Sequence, residues 1–264
     1  MLTYPDIDPV ALSLGPLKIH WYGLMYLTGF LGAWWLGRLR AAKPGSGWKA
    51  EEIGDVLFYG ALGVILGGRI GYVLFYGFDS FLDNPLILLK IWQGGMSFHG
   101  GMLGVFIAMW LYGRHTGRSF YTVTDVIAPW VPIGLGAGRM GNFINGELWG
   151  RPTDLPWGMV FPYVDAQPRH PSMLYEMLLE GFVLFLILWI FSMKPRPRMA
   201  VSGMFMLFYG LFRFMVELVR EPDAHMGFIW FDWVTMGHIL SAPMILFGLF
   251  LLALAYSKRG RASV

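Results

Sequence analysis

The chain has 264 residues, 56% hydrophobic and 14% charged, with a formal net charge of +3 and no cysteine. Soluble domains carry about 25% charged residues, and a chain this short cannot enclose a core large enough for so much apolar surface, so a soluble fold is excluded. The small charge and its dispersal in short basic clusters exclude a nucleic-acid surface, and the missing cysteines exclude disulfides and a thiolate nucleophile of the protein's own.

The first 16 residues contain Asp6 and Asp8 and no basic run, which does not read as a cleavable signal peptide. A bilayer core takes about 20 apolar residues to span. Seven runs approach that length: Ile19–Leu36, Ile53–Tyr76, Phe98–Tyr112, Val123–Gly138, Met173–Met193, Val201–Val219 and Met236–Tyr256. The third is short, and Pro129 and Pro132 interrupt the fourth. Gly63, Gly67 and Gly71 recur every fourth residue in the second, a small-residue ridge on which another helix can pack closely. Lys and Arg in the connecting segments set the orientation. Twelve lie on one side, at Arg38, Arg40, Lys43, Lys49, Arg114, Arg118, Lys194, Arg196, Arg198, Lys258, Arg259 and Arg261. Six lie on the other: Lys18, Lys90, Arg139, Arg151, Arg169 and Arg220. These counts predict an all-α, polytopic integral membrane protein of about seven transmembrane helices. Its N-terminus is periplasmic, its C-terminus is cytoplasmic, and residues 1–264 form a single membrane-embedded domain with an outer loop at about 139–172.

Three charged residues fall inside or near the ends of these runs: Arg69, Arg213 and Glu217. Each costs about 2.5–3.5 kcal/mol at a helix centre, so they face the bundle interior or a wet cavity. Tyr209, Arg213 and Glu217 share one helical face, and Arg220 follows near the outer boundary. One reading is an internal ion pair that fixes helix packing. The other is a polar stripe for an anionic head group, since the planar guanidinium binds phosphate through two donors.

The run from Gly94 to Gly101 carries His99 at the outer entry to the third span. A lone histidine there either hydrogen-bonds a neighbouring helix or accepts a proton. His20, His115, His225 and His238 read as interfacial or structural. No clustered ligands suggest a metal site, and no cofactor is expected.

Gly134 to Arg151 contains G-x-G-x-x-G at Gly136, Gly138 and Gly141. The dinucleotide fingerprint needs a strand before it and a helix after it, and a proline-broken apolar run precedes it here, so that reading fails. What remains is a glycine-rich exit from the bilayer bearing Arg139, Asn142, Asn145 and Glu147, which either stabilises the loop or cradles a phosphate.

The runs His20–Tyr26, Gly67–Tyr72, Gly94–Gly101, Gly136–Arg151, Arg169–Ser172 and Arg213–Asp223 resemble, in order, those of the bacterial prolipoprotein diacylglyceryl transferases; Gly138–Arg151 looks like the family signature. The resemblance implies transfer of the sn-1,2-diacylglyceryl group of phosphatidylglycerol to the lipobox cysteine thiol of a prolipoprotein signal peptide, with release of glycerol phosphate, at the outer side of the bacterial inner membrane. It implies lipid contact by Arg139 and Asn142 and places Tyr22, His99, Asn145, Glu147, Gly150, Tyr209, Arg213, Glu217 and Arg220 around the site, with Arg69 as a further substrate contact. His99, Arg139, Arg213 and Tyr209 are the expected catalytic residues. The competing readings are a transporter of an anionic lipid, against which no inverted repeat is visible, and a purely structural membrane subunit.

Overall fold

The computed structural model describes residues 2–222 and 227–257. His225, Asp223 and the basic residues Lys258, Arg259 and Arg261 lie outside the described residues. The chain divides into two compact units, residues 1–33 with 125–264, and residues 34–124.

The larger unit begins with short strands rather than helix. β1 (Leu2–Thr3) pairs in parallel with β4 (Met159–Val160), which pairs antiparallel with β5 (Pro168–Arg169). β2 (Val10–Leu14) and β3 (Leu17–His20) form a hairpin that turns at Gly15, whose φ of +60° suits a residue without a Cβ. These strands qualify the all-α expectation for a mostly helical chain. They are too short to show the alternation that marks a strand in sequence.

α1 (Trp21–Ala41) follows directly. The fourth apolar run is broken, as its prolines require, into α5 (Phe120–Ile127) and α6 (Val131–Ile144). α6 corrects one expectation: the helix does not end at Gly138 but runs on to Ile144, so Arg139 to Ile144 are helical rather than the start of the outer loop. Glycine disfavours helix by about 1 kcal/mol relative to alanine, and close approach offsets that cost. A Cβ on Gly29 would lie 3.0 Å from the Gly134 Cα, and one on Gly136 would lie 3.2 Å from the Gly181 Cα.

The next helix runs as α7 (Ser172–Glu176), a π-helical stretch (Met177–Val183) and α8 (Leu184–Phe191). α9 (Ala200–Glu217) and α10 (Met236–Tyr256) pack along Gly203, Gly210 and Gly248; a Cβ on Gly248 would lie 2.8 Å from the Gly203 carbonyl oxygen. Asp125 fastens the start of α9 by accepting from the Met199 and Ser202 amides at 2.7 and 2.8 Å.

The smaller unit is built on α2 (Ala50–Tyr76) and α4 (Phe98–Thr116), with the short α3 (Phe78–Asp83) between them in the chain. The glycine ridge expected on α2 meets a second one on α4: Cβ atoms on Gly67 and Gly71 would lie 2.7 and 2.8 Å from the Cα atoms of Gly104 and Gly100. Gly67→Leu would force two backbones apart. The expected loss sits at the upper end of the about 1–3 kcal/mol seen for overpacking. Thermal unfolding of the purified protein in detergent measures it, and an unchanged midpoint would contradict the close approach.

Among the described residues, four helical stretches are long and apolar enough to cross a membrane: Ala50–Tyr76, Ser172–Phe191, Ala200–Glu217 and Met236–Tyr256. The protein is therefore a mostly helical membrane protein.

Candidate active site

In the larger unit, the loop after α6 is held on an aromatic platform. Tyr4, Met159, Phe161 and Met173 form a buried cluster, with Phe143 and Trp149 packed against it. The Tyr4 hydroxyl donates to the Phe143 and Ile144 carbonyls at 2.9 and 2.8 Å, covering exposed acceptors at the C-terminal end of α6. Gly146, at φ +68°, turns the chain out of the helix. The Tyr163 hydroxyl donates to the Gly146 carbonyl at 2.5 Å. Burial, with the neighbouring Tyr4, pushes that hydroxyl up to about 12, so it stays protonated as a donor. Ser172 donates to the Leu148 carbonyl at 2.7 Å and ties the loop to the start of α7.

This frame positions the polar residues of the signature segment. Asn142 and Asn145 both donate to Glu147 Oε1, at 3.0 and 3.1 Å, and the Tyr22 ring packs against Gly141. Gly150 forms a bridge with Arg220, and its amide donates to the His170 carbonyl at 2.8 Å. A Cβ on Gly150 would lie 2.5 Å from the Val219 carbonyl oxygen and 2.7 Å from the His170 Cβ, so any other residue would displace the strand. Arg151 donates to the carbonyls of Arg220 and Glu217 at 3.0 and 3.3 Å, a cation at the C-terminal end of α9. Further out, hydrogen bonding from Arg169 holds the Asp165 carboxyl below the usual carboxylate range.

Beneath this loop lies the charge cluster. Arg139 Nε is 2.8 Å from Glu176 Oε2, and its Nη2 is 3.7 Å from Glu180 Oε2. Arg213 pairs with the other oxygen of Glu176, and its Nη2 is 2.7 Å from Glu217 Oε2. Arg220 Nη1 is 3.8 Å from that same oxygen. Arg139 also reaches Asn142 Oδ1 at 3.4 Å, and Tyr209 lies one turn before Arg213, stacked on Phe205. Glu217 closes the cluster against α10. The Thr235 hydroxyl donates to it at 2.8 Å, and a Cβ on Gly237 would lie 2.6 Å from both carboxylate oxygens.

The layering of these charges matters more than their number. The side chains of Glu176 and Glu180 are 0% exposed, while those of Arg139, Arg213 and Arg220 are 20%, 13% and 13% exposed. The arginines are thus the partly exposed members of the cluster and the carboxylates the enclosed ones, and the carboxylates fix the orientation of the guanidiniums.

Glu176 and Glu180 escaped the sequence reading, although the rule that singled out Arg213 applies to them: both are carboxylates inside the Met173–Met193 run. Both reach Arg139 because of the small-residue contact at Gly136 and Gly181, which lets α6 and the π-helical stretch approach closely. The residues brought together in this unit are thus Tyr22, Arg139, Asn142, Asn145, Glu147, Gly150, Tyr209, Arg213, Glu217 and Arg220.

His99 and Arg69 belong to the smaller unit. His99 is exposed in the first turn of α4, edge-on to Phe98 at 5.6 Å between ring centres. Arg69 is almost fully buried, and its guanidinium is committed to four backbone carbonyls, those of Leu88 (3.3 Å), Gly94 (2.5 Å), Gly95 (3.0 Å) and Ile87. Its direct role is to hold the Pro85–Gly95 segment on α2, where a substrate contact had been expected.

Fold and site together define a membrane-embedded protein whose helices hold a guanidinium face over buried carboxylates. The family model described as prolipoprotein diacylglyceryl transferase matches residues 9–254. The chain belongs to that family. It is 62% identical to the phosphatidylglycerol–prolipoprotein diacylglyceryl transferase of Oleidesulfovibrio alaskensis over 264 residues, covering 100% of this chain and 99% of that one. To the proteins of the same name from Pseudomonas fluorescens SBW25 and Coxiella burnetii RSA 331 it is 61% and 58% identical. Those alignments cover 98% and 99% of this chain, and 97% and 100% of the relatives.

Proposed function

We infer that the protein transfers a diacylglyceryl group from phosphatidylglycerol to a prolipoprotein, the first step of lipoprotein maturation. Family membership and near-complete alignment with relatives of that name support this. The match over residues 9–254 runs through both units, which supports treating the chain as one transferase domain. The proposed acceptor is the lipobox cysteine thiol, consistent with an enzyme that has no cysteine of its own. The thiolate attacks the glyceryl carbon that carries the phosphate ester. An S–C bond forms, the C–O bond breaks, and the electron pair leaves with the phosphate as glycerol phosphate.

The guanidinium face carries the mechanism. Conversion of a phosphodiester to a phosphomonoester adds negative charge to the phosphate, and a site that favours that added charge lowers the barrier rather than only tightening binding. Arg139 and Arg213 fit that task because Glu176 holds both forks in place before substrate arrives. The Asn142–Glu147–Asn145 group is assigned to the lipid head group, and Tyr22, Gly150 and Arg220 to shaping its rim.

A free thiol is only a few per cent ionised at neutral pH. We assign the proton to His99, an exposed imidazole at the start of α4. His99→Gln is expected to lower transfer by about 10²–10⁴, the range of general-base catalysis. Full activity of that variant across pH would remove the assignment.

The proposed topology has seven spans with the N-terminus periplasmic and the site near the outer face of the inner membrane. It rests on the asymmetry of Lys and Arg between the connecting segments. The assay that tests the function mixes purified protein, phosphatidylglycerol and a lipobox peptide. A mass gain of one diacylglyceryl unit on the peptide is expected. An unmodified peptide, with lipid moving between leaflets, would overturn the reaction in favour of transport.

A further inference from the structure

Glu217 is the last residue of α9, and it meets the first turn of α10. Its carboxylate is held there on three sides. The Thr235 hydroxyl, just before α10, donates to Oε1 at 2.8 Å. Oε2 stands 2.7 Å from Arg213 Nη2 and 3.8 Å from Arg220 Nη1. A Cβ on Gly237 would lie 2.4 Å from the carboxyl carbon and 2.6 Å from each oxygen, so the flat face of the group rests on that glycine.

Thr235 is itself fixed. Its amide donates to His238 Nδ1 at 3.2 Å, and Phe214 and Trp233 stand edge-on to that imidazole, with ring centres at 4.6 and 5.3 Å. The Thr235 hydroxyl lies 3.1 Å from the same nitrogen, but its one proton goes to the nearer, charged carboxylate, which can only accept. Thr235 and Glu217 are both buried, so these bonds are made away from bulk water.

A carboxylate with a separate partner on each oxygen cannot turn without breaking one of the two contacts. Oε2 is thereby kept aimed at Arg213 and Arg220. Packing of α9 on α10 is supplied elsewhere, at Gly203, Gly210 and Gly248, so the helices do not depend on the Glu217 contact to meet. We propose that Thr235 and Gly237 are positioning residues for the transfer reaction. They set the direction of the Glu217 carboxylate and, through it, of the Arg213 and Arg220 guanidiniums before lipid arrives. This rests on the proposed function, in which Arg213 meets the phosphate. The charge that develops there then finds a donor that has no need to reorient. Neither Thr235 nor Gly237 touches the lipid in this scheme.

The test measures transfer to a lipobox peptide against phosphatidylglycerol concentration, using the full-length protein in detergent. Thr235→Val keeps the shape of the side chain and removes the hydroxyl. It is expected to lower kcat about tenfold with KM for the lipid within about twofold of wild type. Thr235→Ser keeps the hydroxyl and is expected to retain the wild-type kcat. An unchanged kcat in a folded Thr235→Val, a fall that Thr235→Ser shares, or a rise in KM alone overturns the proposal. If Thr235→Val fails to fold, Gly237→Ala carries the same test, since alanine favours helix over glycine. Its methyl group pushes the carboxylate aside, and kcat is expected to fall about 10²-fold, the cost of an about 1 Å misplacement. An unchanged kcat there overturns the proposal. A structure of Gly237→Ala gives a readout without turnover. Glu217 Oε2 is expected more than about 4 Å from Arg213 Nη2, outside ion-pair range, and retention of the 2.7 Å contact overturns the proposal. An opened contact, in a protein whose wild type transfers nothing, refutes the proposed reaction and leaves the hold on Glu217 standing. Wild-type transfer that Thr235→Val leaves untouched does the reverse.

Discussion

Arg139→Ala is expected to abolish transfer while leaving membrane insertion intact. Arg139 is the most accessible of the three guanidiniums and reaches from Glu176 to Asn142, so it joins the buried carboxylates to the signature segment. Removal of one preorganised donor to a developing anion costs about 10²–10³ in rate. In the proposed reaction Arg139 faces the phosphate from a side chain only 20% exposed, so the effect is expected at the upper end. Insertion survives because Glu176 keeps Arg213 as a partner. Arg139→Lys retains the charge but loses the planar fork, and an intermediate rate is expected. Transfer is followed by peptide mass and insertion by membrane fractionation. Near-normal transfer by Arg139→Ala would rule out its assignment to the phosphate.

Glu176 offers the second large effect, and one that separates orientation from binding. Its two oxygens hold Arg139 and Arg213, and it is fully buried. Removing one member of a buried ion pair costs about 3–5 kcal/mol, because the remaining charges lose compensation. Glu176→Ala should therefore unfold at a clearly lower temperature. Glu176→Gln keeps the shape and hydrogen-bonding capacity but withdraws the negative charge. The guanidiniums then attract phosphate at least as strongly in the ground state, yet lose the geometry that favours the transition state. The expected outcome is a fall in kcat of about tenfold or more, with KM for the lipid unchanged or lower. A rise in KM with kcat preserved would show that Glu176 serves substrate binding instead.

Much of this was legible because the bilayer imposes rules that a sequence displays directly. A stretch of about 20 apolar residues spans the membrane whatever its neighbours, and the final apolar run, Met236–Tyr256, coincides with α10 at both ends. The ridge at Gly63, Gly67 and Gly71 announced a close helix contact, and α4 provides it through Gly100 and Gly104. Arg213 and Glu217 stood out because charge in an apolar run needs a partner, and the two pair with each other and with residues from other helices.

The partners themselves were less legible. Glu176 and Glu180 carry the same signal as Arg213, yet their joint hold on Arg139 depends on the rotation and separation of α6 and the π-helical stretch. Those are decided by a contact between glycines 45 residues apart in sequence, Gly136 and Gly181. Arg69 shows the converse. In sequence it is a buried cation in search of an anion, whereas in three dimensions backbone carbonyls from a looping segment satisfy it. Tyr4 lies in a stretch without periodicity, and only long-range pairing with Met159 and Val160 makes its segment a strand beneath the signature loop.

The sequence by itself determined that this is a membrane protein, which of its runs are apolar, and that Arg213 and Glu217 inside such a run need partners, since these follow from hydrocarbon solvation residue by residue. The tertiary structure alone decided which charges are enclosed and which are partly exposed, that the helix runs on past Gly138 to Ile144, and that backbone carbonyls satisfy Arg69. The physical reason is that hydropathy is a property of each residue, whereas compensation of a buried charge or hydrogen bond depends on distances of about 3 Å between segments remote in the chain.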